Sequence, residues 1–449
     1  MAPDHGATTP LGNFMASESL QPSVDDEDED EVADAMPPVL GEPLTLPNID
    51  SRERALPIRP GDLTRLLMAQ PDLTDDEREK LGKLGPLLGA IFHSDFYERL
   101  RVLKELYAPL DPDSDYVRLT GHTRARTQES DEEFLAPFEA TLERANYRPL
   151  DLAIIQQAVA APNEMGLTYV PNFGQFEHLR IYARGYTKIS RVFRSAKTRF
   201  RKRTMLLDAY QRLVIALKFR EGVDFGPFIR SDVIYLRMFK DVPHVDMEMH
   251  LPEQGTKVKM RWIDKAQIAS PVVMGLPTLA IKLLGLSLAS LGNPMLLAPL
   301  MAVPVSAGMN SFFGFHRAKH KHLSSMIRNL YYLTLANNGS VLTRLVDSAE
   351  EEEYKETLLA YFFLWRRLNE PDVWTMEKLD SHVEDFLKGL SGVEINFEIA
   401  DALGKLFRLG LARRDVHGKL HAATVDQALH ALDRHWDNTF RYAGPERNR

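Results

Sequence analysis

Four metal-capable side chains fall on alternate positions in Asp241-Val242-Pro243-His244-Val245-Asp246-Met247-Glu248-Met249-His250. A strand would bring His244, Asp246, Glu248 and His250 to one face, where neighbours two apart can share a divalent metal. Four ligands along a straight strand cannot converge, so a third or fourth would have to come from elsewhere. With such a metal, the chemistry would be metal-dependent hydrolysis. Val245, Met247, Met249 and Leu251 alternate with the ligands, so the polar face of an amphipathic strand accounts for the pattern as well. His316, His320 and His322, interleaved with Arg317, Lys319 and Lys321, could form a helical metal or lipid-headgroup site, or simply a positive flank. The chain has no cysteine, which excludes disulfides, thiolate nucleophiles and sulfur-ligated zinc. It also lacks G-x-x-x-x-G-K-[ST], a helix-opening G-x-G-x-x-G, H-E-x-x-H and G-x-S-x-G. Nothing here specifies an enzyme, and no cofactor beyond a divalent metal suggests itself.

Residues 180–203 hold ten Lys/Arg and no Asp or Glu. Tyr182, Tyr186, Ile189, Phe193, Ala196 and Phe200 are spaced 4, 3, 4, 3, 4, which predicts a basic amphipathic helix. Its Arg184, Lys188, Arg191, Arg194, Lys197 and Arg201 would rest on anionic lipid, or form a solvated face while the aromatic stripe docks on the core. A nucleic-acid backbone is the less favoured partner.

Between residues 268 and 315 the only formal charge is Lys282, whereas the chain as a whole is 26% charged. Two apolar stretches, 271–291 and 295–313, each approach the roughly 20 residues of a membrane span. Gly292-Asn293-Pro294 would turn between them, and small residues such as Gly275, Gly285, Ala298 and Gly308 would let the two arms pack closely. Arg261 and Lys265 before and Arg317, Lys319 and Lys321 after would put both termini on the cytoplasmic side or its equivalent. The expectation is a two-span membrane protein, with Lys282 as an intramembrane polar group that snorkels or lines a path.

Around this centre the elements are mostly helical. Residues 1–60 contain thirteen Asp/Glu against Arg52, Arg54 and Arg59, a composition too polar to fold and expected to be a disordered acidic tail. Residues 61–175 read as a helical domain, opening with a helical hairpin that ends at Tyr107 before Ala108-Pro109-Leu110-Asp111-Pro112-Asp113. Residues 176–267 combine the basic helix with short strands at 233–240, 246–251 and 257–263. After the hairpin, 316–370 is helical, with an acidic run Glu350–Glu353 and basic Arg366 and Arg367 matching a helix dipole. Residues 371–449 give helix, helix, strand–turn–strand, helix, the order of a winged-helix-like module used for protein or nucleic-acid contacts. The fold class is therefore α+β, mostly helical, with a two-helix transmembrane hairpin.

Tyr107-Ala108-Pro109-Leu110-Asp111-Pro112-Asp113, Phe239-Lys240-Asp241-Val242-Pro243 with Asp246, Glu248 and Pro252, the apolar pair, and Lys355-Glu356 with Leu358-Leu359-Ala360-Tyr361 resemble the uncharacterised domain family that includes transmembrane protein 143. The resemblance spans roughly residues 60–440. It implies a membrane protein with no established activity, with Asp241, Pro243, Asp246 and Glu248 shared. The expected function is a membrane-anchored scaffold or adaptor that recruits protein partners and can self-associate. The alternatives are an oligomeric transporter or small channel using Lys282, and last a hydrolase using His244, Asp246, Glu248 and His250.

Overall fold

The structure, a computed structural model, describes residues 39–40, 52–115, 128–151, 167–168, 173–194, 202–222, 229–244, 247, 259–260, 313, 330–366 and 375–439. A helical layer packs on one face of an antiparallel sheet. Helix α1 (Pro60–Met68) starts with proline at its first position, where the missing N–H costs nothing. Helix α2 (Asp75–Tyr107) opens with a reciprocal cap: the Thr74 hydroxyl accepts from the Glu77 amide and the Glu77 carboxylate accepts from the Thr74 amide. Its Leu81, Leu84, Leu88, Ile91, Phe92 and Phe96 recur at helical spacing and are all buried. Helix α3 (Gln128–Arg144) and the central helix α4 (Gly339–Arg366) pack against it, and from Glu352 to Trp365 every α4 residue is buried. A helix enclosed on all sides is the axis of the core rather than its lid.

The C-terminal elements are α5 (Met376–Ser391), α6 (Ile399–Leu409), α7 (Val425–Thr439) and a hairpin of two three-residue strands, 412–414 and 420–422. Thr375 caps α5, and Gly392 and Gly410 close α5 and α6 in the left-handed conformation. Leu379, Leu403, Leu406 and Leu432 share one apolar cluster with Leu63, Leu88 and Leu358, so these helices are part of the same core.

The main sheet is built from β1 (Val39–Leu40), β2 (Arg148–Pro149), β4 (Phe176–Arg194), β5 (Lys202–Phe219), β6 (Tyr235–Pro243) and β8 (Thr334–Asn337). Its order is β1-β4-β5-β6-β8, with β2 also on β4. A separate pair is formed by β3 (Leu167–Thr168) and β7 (Lys259–Met260). Side chains alternate as strand geometry requires: Tyr182, Val214, Ala216, Leu236 and Met238 join the helical core. Ile181, Ala183, Leu213, Ile215, Leu217 and Phe239 form a second buried cluster. The β6 ladder ends at Ala209 opposite Pro243, whereas β4 and β5 stay paired out to Arg194 opposite Lys202.

Two expectations are corrected. Where residues 180–203 are described, at 180–194 and 202–203, the chain forms strands, not a basic helix. Thr187, Ile189, Val192 and Phe193 favour a pleated surface, and Gly185, at φ 73°, would weaken a helix interior. On the strand the stripe does not keep to one face: Tyr182 packs in the helical core and Tyr186 against the second cluster. The second correction concerns the membrane hairpin, and with it the multi-pass localisation and a channel built on it. Among the described residues no helix is long and apolar enough to cross a membrane. Of residues 268–315 only Phe313, half exposed, is described. Low charge was the signal for two spans, but the run also carries Pro271, Pro277, Pro294, Pro299 and Pro304. Each of these removes a helical donor.

Candidate functional site

Where α4 first becomes fully enclosed it carries Glu352, Glu353, Lys355 and Glu356, all buried. Lys405 of α6 is buried beside them, with Nζ 2.7 Å from Glu356, 3.0 Å from Glu353 and 2.8 Å from the exposed Asp401. Arg144, at the end of α3, reaches Glu353 at 2.8 Å. Asn146, held at φ 62°, donates its amide to both Glu352 and Glu356 at 3.3 and 3.1 Å. Arg184 of β4 lies 3.7 Å from Glu352 and donates to the Ala145 carbonyl at 3.1 Å. Four carboxylates, counting the buried Glu53, thus face Arg144, Arg184, Lys355 and Lys405. Buried charges persist when paired and hydrogen-bonded in this way.

Burial pushes the Glu356 carboxyl up to about 7, with Lys405 pulling the other way. For Lys405 burial works against its charge, but Glu356, Glu353 and Asp401 outweigh it and hold the ammonium above its ordinary value. Burial likewise raises the Glu53 carboxyl, against the backbone amides that it accepts.

The cluster grips a neighbouring stretch of chain. Residues 52–58 run as a strap between β4 and the turn after α5. Glu352 accepts the Leu56 amide at 2.9 Å, and Lys355 donates to the Leu56 carbonyl at 2.7 Å. Lys355 and Glu352 also pair with each other at 2.8 Å. Glu53 forms a parallel bridge with Ile395, its amide donating to the Glu394 carbonyl and its carbonyl accepting from the Asn396 amide. The Glu53 carboxylate takes the Arg54 and Ala55 amides at 2.9 Å and the Tyr186 amide at 3.2 Å.

A second constellation lies between α3 and the sheet. A register irregularity between Phe176 and His178 puts Glu177 and His178 near Asp131, and the three offer ligand atoms within 4.8 Å of one another. Bulges re-aim side chains in this manner. Lys218, however, sits 2.5 Å from Asp131 and 3.2 Å from Glu177. Burial lowers the Lys218 charge preference, but the two carboxylates outweigh it and the ammonium is held above its ordinary value. The lysine therefore already occupies the place that a divalent cation would take. A groove of about 410 Å³ between α1, α2 and α4 is floored by Gly82, Gly85 and Gly89 and edged by Glu350 and Tyr354.

Of the metal face expected from sequence, His244 alone is described; Asp246, Glu248 and His250 lie outside the described residues. The His244 ring packs 4.1 Å from that of Tyr210, and burial drives it down to about 4, so it is neutral at pH 7. Asp241 takes φ 49° and Pro243 pairs with Ala209. Among the expected membrane-surface cations, Arg184 belongs to the interior network, with its guanidinium 5.2 Å from the Tyr147 ring. Lys188 is half-buried on β4, Arg191 and Arg194 fall in β4, and Lys197, Arg201 and Lys282 lie outside the described residues. So do His316, His320 and His322.

The residues that do meet, Glu53, Glu352, Glu353, Glu356 and Lys405, were not foreseen as a site. One signal was present: Leu358 to Trp365 are apolar all round the helix, so charges one turn earlier must share its burial.

No solved structure matches the chain. Residues 209–340 match the model of a family described as "Protein of unknown function (DUF3754)", a span that holds Lys218, Asp241 and Pro243 and none of the network's charged residues. Over that span the chain is similar to a family whose molecular function is unknown.

Proposed function

We propose that the chain is an adaptor that binds short segments of partner proteins, with the Glu352–Lys355 pair as the gripping element. One observation carries this. A carboxylate and an ammonium three residues apart on one rigid helix take the N–H and the C=O of the same residue, Leu56. That is recognition of peptide backbone, independent of side chain, and it resembles the main-chain hydrogen bonding by which strand-addition sites bind. Enclosure strengthens both bonds, because no water competes for the same atoms. Kinship with transmembrane protein 143 in particular is supported by sequence alone, through the motifs at 107–113, 239–252 and 355–361 and the apolar pair.

An array of ten-residue peptides, probed with the full chain carrying Arg54→Glu to loosen residues 52–58 from the Glu352–Lys355 pair, tests the proposal. Retention that falls when Glu352→Gln and Lys355→Met are combined in a chain that still unfolds cooperatively is the expected result. An array on which no peptide is retained contradicts it.

A further inference from the structure

The strap of residues 52–58 meets the body as a bound peptide meets its receptor. It bends at Arg52, Ala55 and Ile58, the Ile58 amide donating back to the Leu56 carbonyl at 2.8 Å, and only two of its side chains, Glu53 and Leu56, are buried. Leu56, 3% exposed, is the apolar anchor. Ile58 also packs partly against the core, and the rest of the hold is polar. Arg52 donates to both oxygens of Glu384 at 3.1 Å, and Arg54 pairs with Glu398 at 2.6 Å. The parallel pairing to 394–396 is a single bridge, short enough to open without disturbing α4.

We infer that the seat formed by Glu352, Lys355, residues 394–396 and the Tyr186 amide is a docking site for a short peptide of the pattern Glu-x-x-Leu with an arginine on each side of the glutamate. Residues 52–58 are its resident, displaceable occupant. This rests on the adaptor proposal and names the partner class for the same site. Each element of the pattern has its own contact. The leucine fills the apolar hole beside α4. The glutamate, three residues earlier, folds over the next two amides and takes the Tyr186 N–H. The arginines before and after the glutamate meet Glu384 and Glu398, which would repel acidic residues at those positions. A resident segment on a short tether competes at an effective concentration in the millimolar range, so an outside peptide enters readily only when the strap is weakened or the partner is locally abundant.

The experiment uses the full chain and a fluorescein-labelled peptide of residues 52–59, followed by anisotropy. Leu56→Ala in the chain removes the resident's anchor and is expected to tighten binding of the labelled peptide tenfold or more over wild type. Arg54→Glu in the chain places like charge against Glu398 without touching the core, and should tighten it severalfold even where Leu56→Ala fails to fold. Peptides carrying Glu53→Ala or Leu56→Ala should bind at least tenfold more weakly. If the weakened chains take the peptide no better than wild type, or if the altered peptides bind equally well, the inference is overturned. Retention on the array of peptides lacking Glu-x-x-Leu would overturn this inference while leaving the adaptor proposal standing; no retention at all would remove both.

Discussion

Replacing Lys405 by methionine tests whether the buried charges are balanced as the geometry indicates. Lys405 is 5% exposed and serves Glu356, Glu353 and Asp401 within 3.0 Å. Removing one partner of a buried pair costs about 3–5 kcal/mol, and here the expected loss depends on pH. Glu356 has its carboxyl raised from 4.5 to about 7, so the folded state favours the neutral acid. The stability this contributes is fully present below about 4.5 and is lost as pH rises through about 7. In wild type that loss amounts to about 3 kcal/mol, at about 1.36 kcal/mol per pH unit. Without Lys405 the carboxyl rises further. At pH 8 a folded chain that keeps Glu356 neutral forgoes about 5 kcal/mol relative to the unfolded chain. The deficit of Lys405→Met should therefore be about 1–2 kcal/mol larger at pH 8 than at pH 5. Urea unfolding of both proteins at the two pH values, with unchanged m, measures it. A deficit that is the same at both, or a variant more stable than wild type, would refute the coupling of Lys405 to Glu356.

Three further outcomes follow from single contacts. Gly185 sits at φ 73°, and a Cβ there would lie 2.5 Å from the Gln211 side chain. Gly185→Ala should cost about 2 kcal/mol or more by thermal unfolding, with Gln211→Ala restoring only the steric part; an unchanged melting temperature would mean that the strand can relax there. Thr74→Ala removes one half of the α2 cap and should cost about 1 kcal/mol in urea unfolding. Lys218→Ala should uncover Asp131, Glu177 and His178, so that zinc binding becomes detectable by calorimetry in the variant. Equal zinc binding by wild type would show that Lys218 does not hold the cation's place.

How much of this was visible beforehand depends on what each signal measures. The α1–α2 hairpin, α5 with its Thr375 cap and the helix at Val425–Thr439 follow from local periodicity and capping, which act within a few residues. The α+β class followed from the same signals. The β4–β5 ribbon did not, because a strand's partner is supplied by residues many positions away. Gly185 and the strand-favouring Thr187, Ile189, Val192 and Phe193 were the local warnings. The transmembrane hairpin was inferred from low charge, run length, small residues and basic flanks, and none of these measures whether the run forms a helix that spans; among the described residues no helix is long and apolar enough to do so. The Glu350–Glu353 run was taken as the start of a helix, where it would complement the dipole. Helix α4 in fact begins at Gly339, so the run lies well inside it, where the dipole gives nothing and burial must be met by Lys355, Lys405 and Arg144. Lys405 is 49 residues from Glu356, and no spacing rule in the sequence connects them.

The claim at the centre is that the strap is held as a ligand rather than as part of the folding core. Amide hydrogen exchange at Leu56, whose N–H is bonded to Glu352, measures this against Leu358 and Leu359 in the same helix as that glutamate. A displaceable strap predicts that Leu56 exchanges through a local opening far faster than the two helical amides, at a rate nearly independent of low urea. If Leu56 exchanges only with the global unfolding that releases Leu358, the strap is core, and the adaptor site does not exist.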